Sequence, residues 1–142
     1  MTHIVEIQTN GPGLHDFTEQ VQELAEGNGV MTIFVQHTSC SLVIQENADD
    51  RVQVDLLEYF QRLVPPADDP SMKYLTHTSE GPDDMPAHIK AVMLPVSLHI
   101  PIISGRLALG IWQGIYLFEH RTRPRLRKVV CSMISADIRG NS

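Results

Sequence analysis

The sequence has little cysteine, no excess of positive charge and no long apolar run. Its two cysteines, Cys40 and Cys131, form neither a CxxC nor a regular framework. A disulfide scaffold is therefore not expected, and a reducing compartment such as the cytoplasm is. The formal net charge is −6, which argues against a nucleic-acid partner, since that role needs a basic face to neutralise phosphates. The apolar runs are too short to span a bilayer, so no membrane partner is expected. MTHIVEIQTN lacks the basic segment followed by an apolar one that marks a secretory signal. GxSxG, the P-loop, GxGxxG and HExxH are missing too, which removes a hydrolase elbow, a glycine phosphate cradle and a compact zinc motif.

What is present is a chain of 142 residues, 42% hydrophobic and 20% charged. That is an ordinary globular composition and enough chain to bury a core without staples. A single domain over 1–142 is expected. Ile4 to Thr9 reads as a strand with Val5 and Ile7 on one face, broken by the GPG at Gly11. Asp16, with Glu19 three residues on, predicts the start of a helix over 16–26 carrying Phe17, Val21 and Leu24. Met31–Val35 and Ser41–Ile44 read as strands with a bend at Thr38 and Ser39. Asn47 is placed to cap a second helix with Val52, Leu56, Phe60 and Leu63 along one face, ended by Pro65 and Pro66. A polar stretch, 67–86, leads to a short helix near Ala87–Met93. Three strands follow: Leu98–Ile103, a long one over Leu107–Glu119, and Lys128–Ser135. Gly105 turns the first into the second, and TRPRLR connects the last two. Two main helices, one short helix and a largely antiparallel or mixed sheet give an α+β fold.

Seven histidines are present. His37, His77 and His88 sit beside acids or small hydroxyls, and imidazoles so placed can gather one divalent ion. They can equally be three unrelated hydrogen-bonding histidines. His3, His15 and His99 read as incidental. Cys40 follows His37 by three residues, but in a strand that spacing puts the two on opposite faces, so a buried inert thiol fits better than a nucleophile. Asn47 and Asp50 read as helix-start residues, whereas Glu46 ends a strand and is free to face a cleft. Glu80, Asp83 and Asp84 lie between His77 and His88, where they can orient ligands or simply solvate a loop. Gln113 and Glu119 share a covered strand face with isoleucines, so each needs a partner: as a structural hydrogen-bonder or as a site residue. RTRPRLRK, Arg121 to Lys128, reads as a solvated connector or as a phosphate grip.

QHTSCSL with ENADD, then EGPDDMPAHIK, then SGRLALGIWQGIYLFEHR, in that order, resemble the YjbQ-like family, the secondary thiamine-phosphate synthase family. The resemblance runs from about Val5 to Ile138. It implies a small α+β domain assembling as a homotrimer. It also implies a weak thiamine-phosphate synthase activity, a transfer joining a hydroxymethylpyrimidine diphosphate to a thiazole phosphate with loss of pyrophosphate. The histidines of the HTS and AH motifs carry over as His37 and His88, with His77 added from HTSEG, as ligands of a divalent metal, zinc or magnesium. Imidazole ligation favours zinc. Glu46, Asp83, Gln113 and Arg121 are the candidate catalytic residues, with Arg121 assisting a diphosphate and Glu46 or Asp83 orienting a ligand or moving a proton. The expected partner is a small phosphorylated metabolite. The alternative is a non-catalytic trimer that binds a metal or metabolite. The chain departs from the family pattern at Ile111, where GTWQ is common, and at Cys40, where alanine is common.

Overall fold

The computed structural model describes residues 1–138. Its elements are β1 (Thr2–Thr9), β2 (Gly13–Asp16), α1 (Thr18–Gln22), β3 (Gly29–Val35), β4 (Cys40–Glu46), α2 (Asp50–Leu63), α3 (Asp84–Met93), β5 (Ser97–Ile103), β6 (Arg106–Leu107), β7 (Gln113–Glu119) and β8 (Arg125–Ser135), with a 3-10 turn at Pro70–Met72. Two sheets form, one in the order β1-β8-β3-β5-β6 and one in the order β2-β7-β4. Every strand pair is antiparallel. The fold is α+β, as expected.

Alternation in the strands sets the layers. Ile7, Met31, Ile33, Val35, Ile100, Ile102, Val129 and Cys131 of the larger sheet pack with Leu42, Ile115 and Leu117 of the smaller one in a single core. The other face of the smaller sheet meets the helices: Phe60 of α2 packs edge-on against Phe118 at 5.6 Å. The strand β7 is therefore covered on both sides, which its unbroken apolar run GIYLF requires. The outer face of the larger sheet is left open, with Ile4, Val30, Phe34, Leu126 and Ile134 exposed on it.

Several boundaries differ from expectation. The first helix is only Thr18–Gln22; Asp16 ends a short strand instead, and its Oδ1 takes the N–H and hydroxyl of Thr18. Asp49, not Asn47, caps α2 by accepting the Arg51 N–H. Asn47 donates instead to the Gln113 carbonyl. The helix α3 begins at Asp84 rather than Ala87. The long strand over 107–119 is two strands in different sheets, because the chain leaves the larger sheet after Leu107 and enters the smaller one at Gln113. The β5–β6 hairpin turns on Ser104 and Gly105 with φ of 49° and 80°, the two positive values a two-residue I′ turn needs. The last strand starts at Arg125, so the second half of the basic stretch is strand, not connector.

Candidate functional site

The helix α3 places Asp84 and His88 one turn apart, on the same face. His77, from the preceding loop, reaches that face: its ring centroid lies 5.6 Å from that of His88. One ligand atom from each of His77, Asp84 and His88 lies within 4.8 Å of the others. His77 Nε2 is 2.8 Å from Asp84 Oδ2, and His88 Nε2 is 3.3 Å from Asp84 Oδ1. Asp84 is only 1% exposed. His77 is exposed and His88 half-buried, so the cluster opens to solvent on one side.

The orientation of His88 is set by its other nitrogen. Nδ1 lies 2.9 Å from the Thr38 carbonyl, which can only accept, so Nδ1 carries the proton. Nε2 then turns toward the Asp84 carboxylate. A cation or a second proton must sit between two such acceptors. Backbone anchoring of one imidazole nitrogen while the other faces a carboxylate is the usual support of a metal-binding histidine. The 3.3 Å between His88 Nε2 and Asp84 Oδ1 also matches the ~3.3 Å edge of a tetrahedron built from ~2.0–2.1 Å bonds.

Arg121 stands behind this cluster. It follows β7, is 8% exposed, and donates through Nη1 to Asp84 Oδ1 at 2.8 Å and through Nε to Asp83 Oδ2 at 2.8 Å. Its Nη2 donates to the Glu80 carbonyl. Burial acts to raise the Asp83 carboxyl, but the Arg121 hydrogen bond, the Thr122 N–H and the Arg121 charge outweigh it and hold the group at about 2. Asp83 is thus a fixed anion near neutral pH.

A cleft of about 710 Å³ opens beside Arg121. Glu80, Asp83, Thr122, Arg123 and Arg125 line it. Arg123 and Arg125 have no ion-pair partner among the described residues, and Arg125 Nε is buried without an acceptor.

The remaining candidates lie elsewhere. His37 is outside the His77–Asp84–His88 group: its Nε2 accepts the Lys128 N–H at 2.8 Å. Burial, then the Arg127 charge, lowers its pKa. Glu46 and Gln113 are register partners at one end of the β4–β7 pair, while Cys40 and Glu119 pair at the other. At about 3.3 Å per residue, Glu46 and Gln113 are roughly 20 Å from the end that Arg121 extends. Gln113 Oε1 accepts the Gly110 N–H, a local turn contact. Cys40 is buried in the core, and that burial pushes its thiol up to about 12.

The basic stretch is not a solvated connector throughout. Arg127 is buried and bonds Glu119 through Nε, at 2.8 Å to Oε1, and through Nη2 to Oε2. Thr9 also donates to Glu119, and Arg127 reaches the Ser39 carbonyl and hydroxyl. Glu119 is a structural hydrogen-bonder. It ties β1, β7, β8 and the bend before β4 together.

Asp84 had a signal in the sequence, since the spacing Asp84–x–x–x–His88 puts both on one helix face. Two further buried polar residues, His120 and Lys90, carry no motif in the sequence. His120 continues the helix-facing row of Tyr116 and Phe118. Its Nε2 is 2.9 Å from Ser41 Oγ, and burial, then the Lys90 charge, drives its pKa down to about 3.

The sequence pattern of the family described as UPF0047 protein YjbQ-like matches residues 3–136. The chain belongs to this family. A family relative from Synechocystis, also described as a UPF0047 protein, is 48% identical over 89% of this chain and 86% of its own length. The UPF0047 protein YjbQ of Salmonella typhimurium is 39% identical over 85% of this chain and 88% of its own. Among solved structures, a conserved hypothetical protein from Thermus thermophilus superposes with a TM-score of 0.81 at 32% identity, covering 93% of this chain and 99% of that one. A YjbQ/UPF0047 family protein from Clostridium acetobutylicum gives 0.79 at 32% identity, with 94% and 99% covered. The YjbQ-like fold is thus the two-sheet, helix-covered arrangement described above. No helix among its described residues is long and apolar enough to cross a membrane.

Proposed function

We propose that His77, Asp84 and His88 hold one divalent cation, and that the protein acts on a small phosphorylated substrate seated in the adjoining arginine cleft. The observation that carries this reading is the bond from His88 Nδ1 to the Thr38 carbonyl, which leaves Nε2 facing Asp84. Two imidazoles and one carboxylate suit zinc better than magnesium. Such an ion, when bound, supplies Lewis acidity at a phosphoryl or diphosphate oxygen.

The chain's own residues divide the work. Arg121, committed to Asp83, Asp84 and the Glu80 carbonyl, positions the ligand carboxylate and does not grip substrate. Arg123 and Arg125 supply the positive charge that binds and orients phosphate oxygens and absorbs charge on a departing phosphate. Asp83, held ionised, keeps Arg121 in place and moves no proton near neutral pH. The transfer implied by the family resemblance, with two phosphate-bearing substrates and a pyrophosphate product, is the specific reaction to assay.

We infer also that the protein is a homotrimer working in the cytoplasm. The open apolar face of the larger sheet supports self-association, and two free buried thiols suit a reducing compartment. A non-catalytic trimer that holds a metal or metabolite rests on the same face and cluster, so turnover separates the two. Thiamine-phosphate formation should be measured with untagged protein, with His88→Ala, and with Arg123→Ala combined with Arg125→Ala. Loss of turnover in both variants supports the enzyme. Turnover unchanged in both contradicts it, and metal binding without turnover leaves the binding role.

A further inference from the structure

A second cavity, of about 310 Å³, lies between α2, α3 and the residues following β7. Its lining is largely apolar, with Val64, Pro66 and Pro86 in it, and Lys90 and His120 line it too. Neither His77, Asp84 nor His88 lines it. We propose that this cavity, which shares Pro66, Asp83 and Thr122 with the arginine cleft, is a further binding site for the oxyanion of a small molecule, a carboxylate or a phosphate monoester, held between the Lys90 ammonium and His120 Nδ1.

Lys90 is 8% exposed and has no hydrogen-bond or ion-pair partner among the described residues. Its ammonium is not among the side-chain atoms sealed from solvent, so it stays open to water while the residue lines the cavity. The one carboxylate on the cavity wall is Asp83. Its Oδ2 is already taken by Arg121 and by the N–H and hydroxyl of Thr122. Arg121 lies between Asp83 and Asp84, and the Lys90 ammonium stays without a direct partner.

His120 is 3% exposed. Its Nδ1 is buried with no partner, while Nε2 meets the Ser41 hydroxyl. When Ser41 donates to Nε2, the ring proton lies on Nδ1 and becomes a donor without an acceptor. Lysine has only donors to offer as well. In that tautomer both groups offer donors to acceptor oxygens, and the positive charge of Lys90 favours anionic ones. The cavity volume sits at the small end for ligand pockets, so the molecule is a few carbons in size, with an apolar part against the valine and prolines.

The test is an NMR titration of the protein as purified with inorganic phosphate and, separately, with acetate, at constant ionic strength set by chloride. Saturable shifts of the Lys90 and His120 amides are expected with at least one probe. The long-range nitrogen spectrum of His120 should show the proton on Nδ1. Phosphate alone saturating identifies a phosphate monoester site, acetate alone a carboxylate site, and both a general oxyanion site. Lys90→Met should weaken the response at least about tenfold, and Arg123→Ala, in the neighbouring cleft, should leave it within about twofold. Shifts that stay linear with both probes overturn the proposal, a result that needs no variant to fold. Saturation undiminished in Lys90→Met, or in Lys90→Gln if the first variant misfolds, overturns it too.

Discussion

His88 donates its Nδ1–H to the carbonyl of Thr38 across 2.9 Å, and this single bond aims the opposite side of the ring at Asp84. The bend between β3 and β4 thus orients a ligand carried on α3. Because imidazoles and carboxylates ligate a metal only in their deprotonated forms, metal and protons compete for the cluster. Zinc affinity is predicted to fall as pH is lowered. A competition titration against a chromophoric chelator at several pH values checks this; a pH-independent affinity contradicts it.

Asp84 also anchors Arg121. Asp84→Asn leaves the buried guanidinium with Asp83 as its one carboxylate, so the cost should fall below the about 3–5 kcal/mol of a buried charge left with none. Urea unfolding of the variant should show a loss of about 1–3 kcal/mol. A shift below about 0.5 kcal/mol, the range of ordinary surface substitutions, would mean that the pair contributes little.

The Glu119–Arg127 pair is predicted to behave as a buried unit. Glu119→Gln alone should destabilise by roughly 3–5 kcal/mol, because Arg127 keeps its charge without a counterion. Glu119→Leu with Arg127→Met should cost less than the sum of the two single changes. Additive losses in such a cycle would show that the two residues are not coupled.

Stability should depend on pH in two windows. His120 has a folded pKa of about 3 against an ordinary 6.5, so the unfolded chain binds the extra proton between those values. Its contribution is fully present above about 6.5 and is lost as pH falls toward 3, with a slope approaching ~1.4 kcal/mol per unit. His37, also lowered, adds in the same direction. Asp83, at about 2 rather than 3.8, adds a further loss below about pH 4. His120→Gln should flatten the upper window and leave the lower one; an unchanged profile would be inconsistent with a neutral buried His120.

Cys40 is predicted to be unreactive in the folded protein. Its thiol is buried and pushed up to about 12, so almost no thiolate exists near neutral pH. Mass spectrometry after iodoacetamide treatment should find Cys40 labelled only under denaturing conditions. Rapid native labelling would restore the thiol as a candidate nucleophile.

The α+β class and most strand positions were legible because two-residue alternation survives from Val5 to Ile7 and from Met31 to Val35. The split between β6 and β7 was not, since an apolar run does not say which sheet it joins. Arg121 read as a phosphate grip and Arg127 as part of a connector or grip, because burial of a charge depends on partners far along the chain, Asp83 and Glu119. Glu46 and Gln113 were drawn toward the site by residue type, whereas register puts them at the far end of the smaller sheet. His77 and His88 were legible as a pair. The tie from His88 to a backbone carbonyl 50 residues away was not, because no side-chain pattern marks an accepting carbonyl.

The most direct test of the metal cluster is a crystal structure of the untagged protein grown with zinc, with diffraction collected on both sides of the zinc absorption edge. One anomalous peak per chain is predicted within bonding distance of His77 Nε2, Asp84 and His88 Nε2. No peak there, or one ligated by His37 instead, would contradict the assignment.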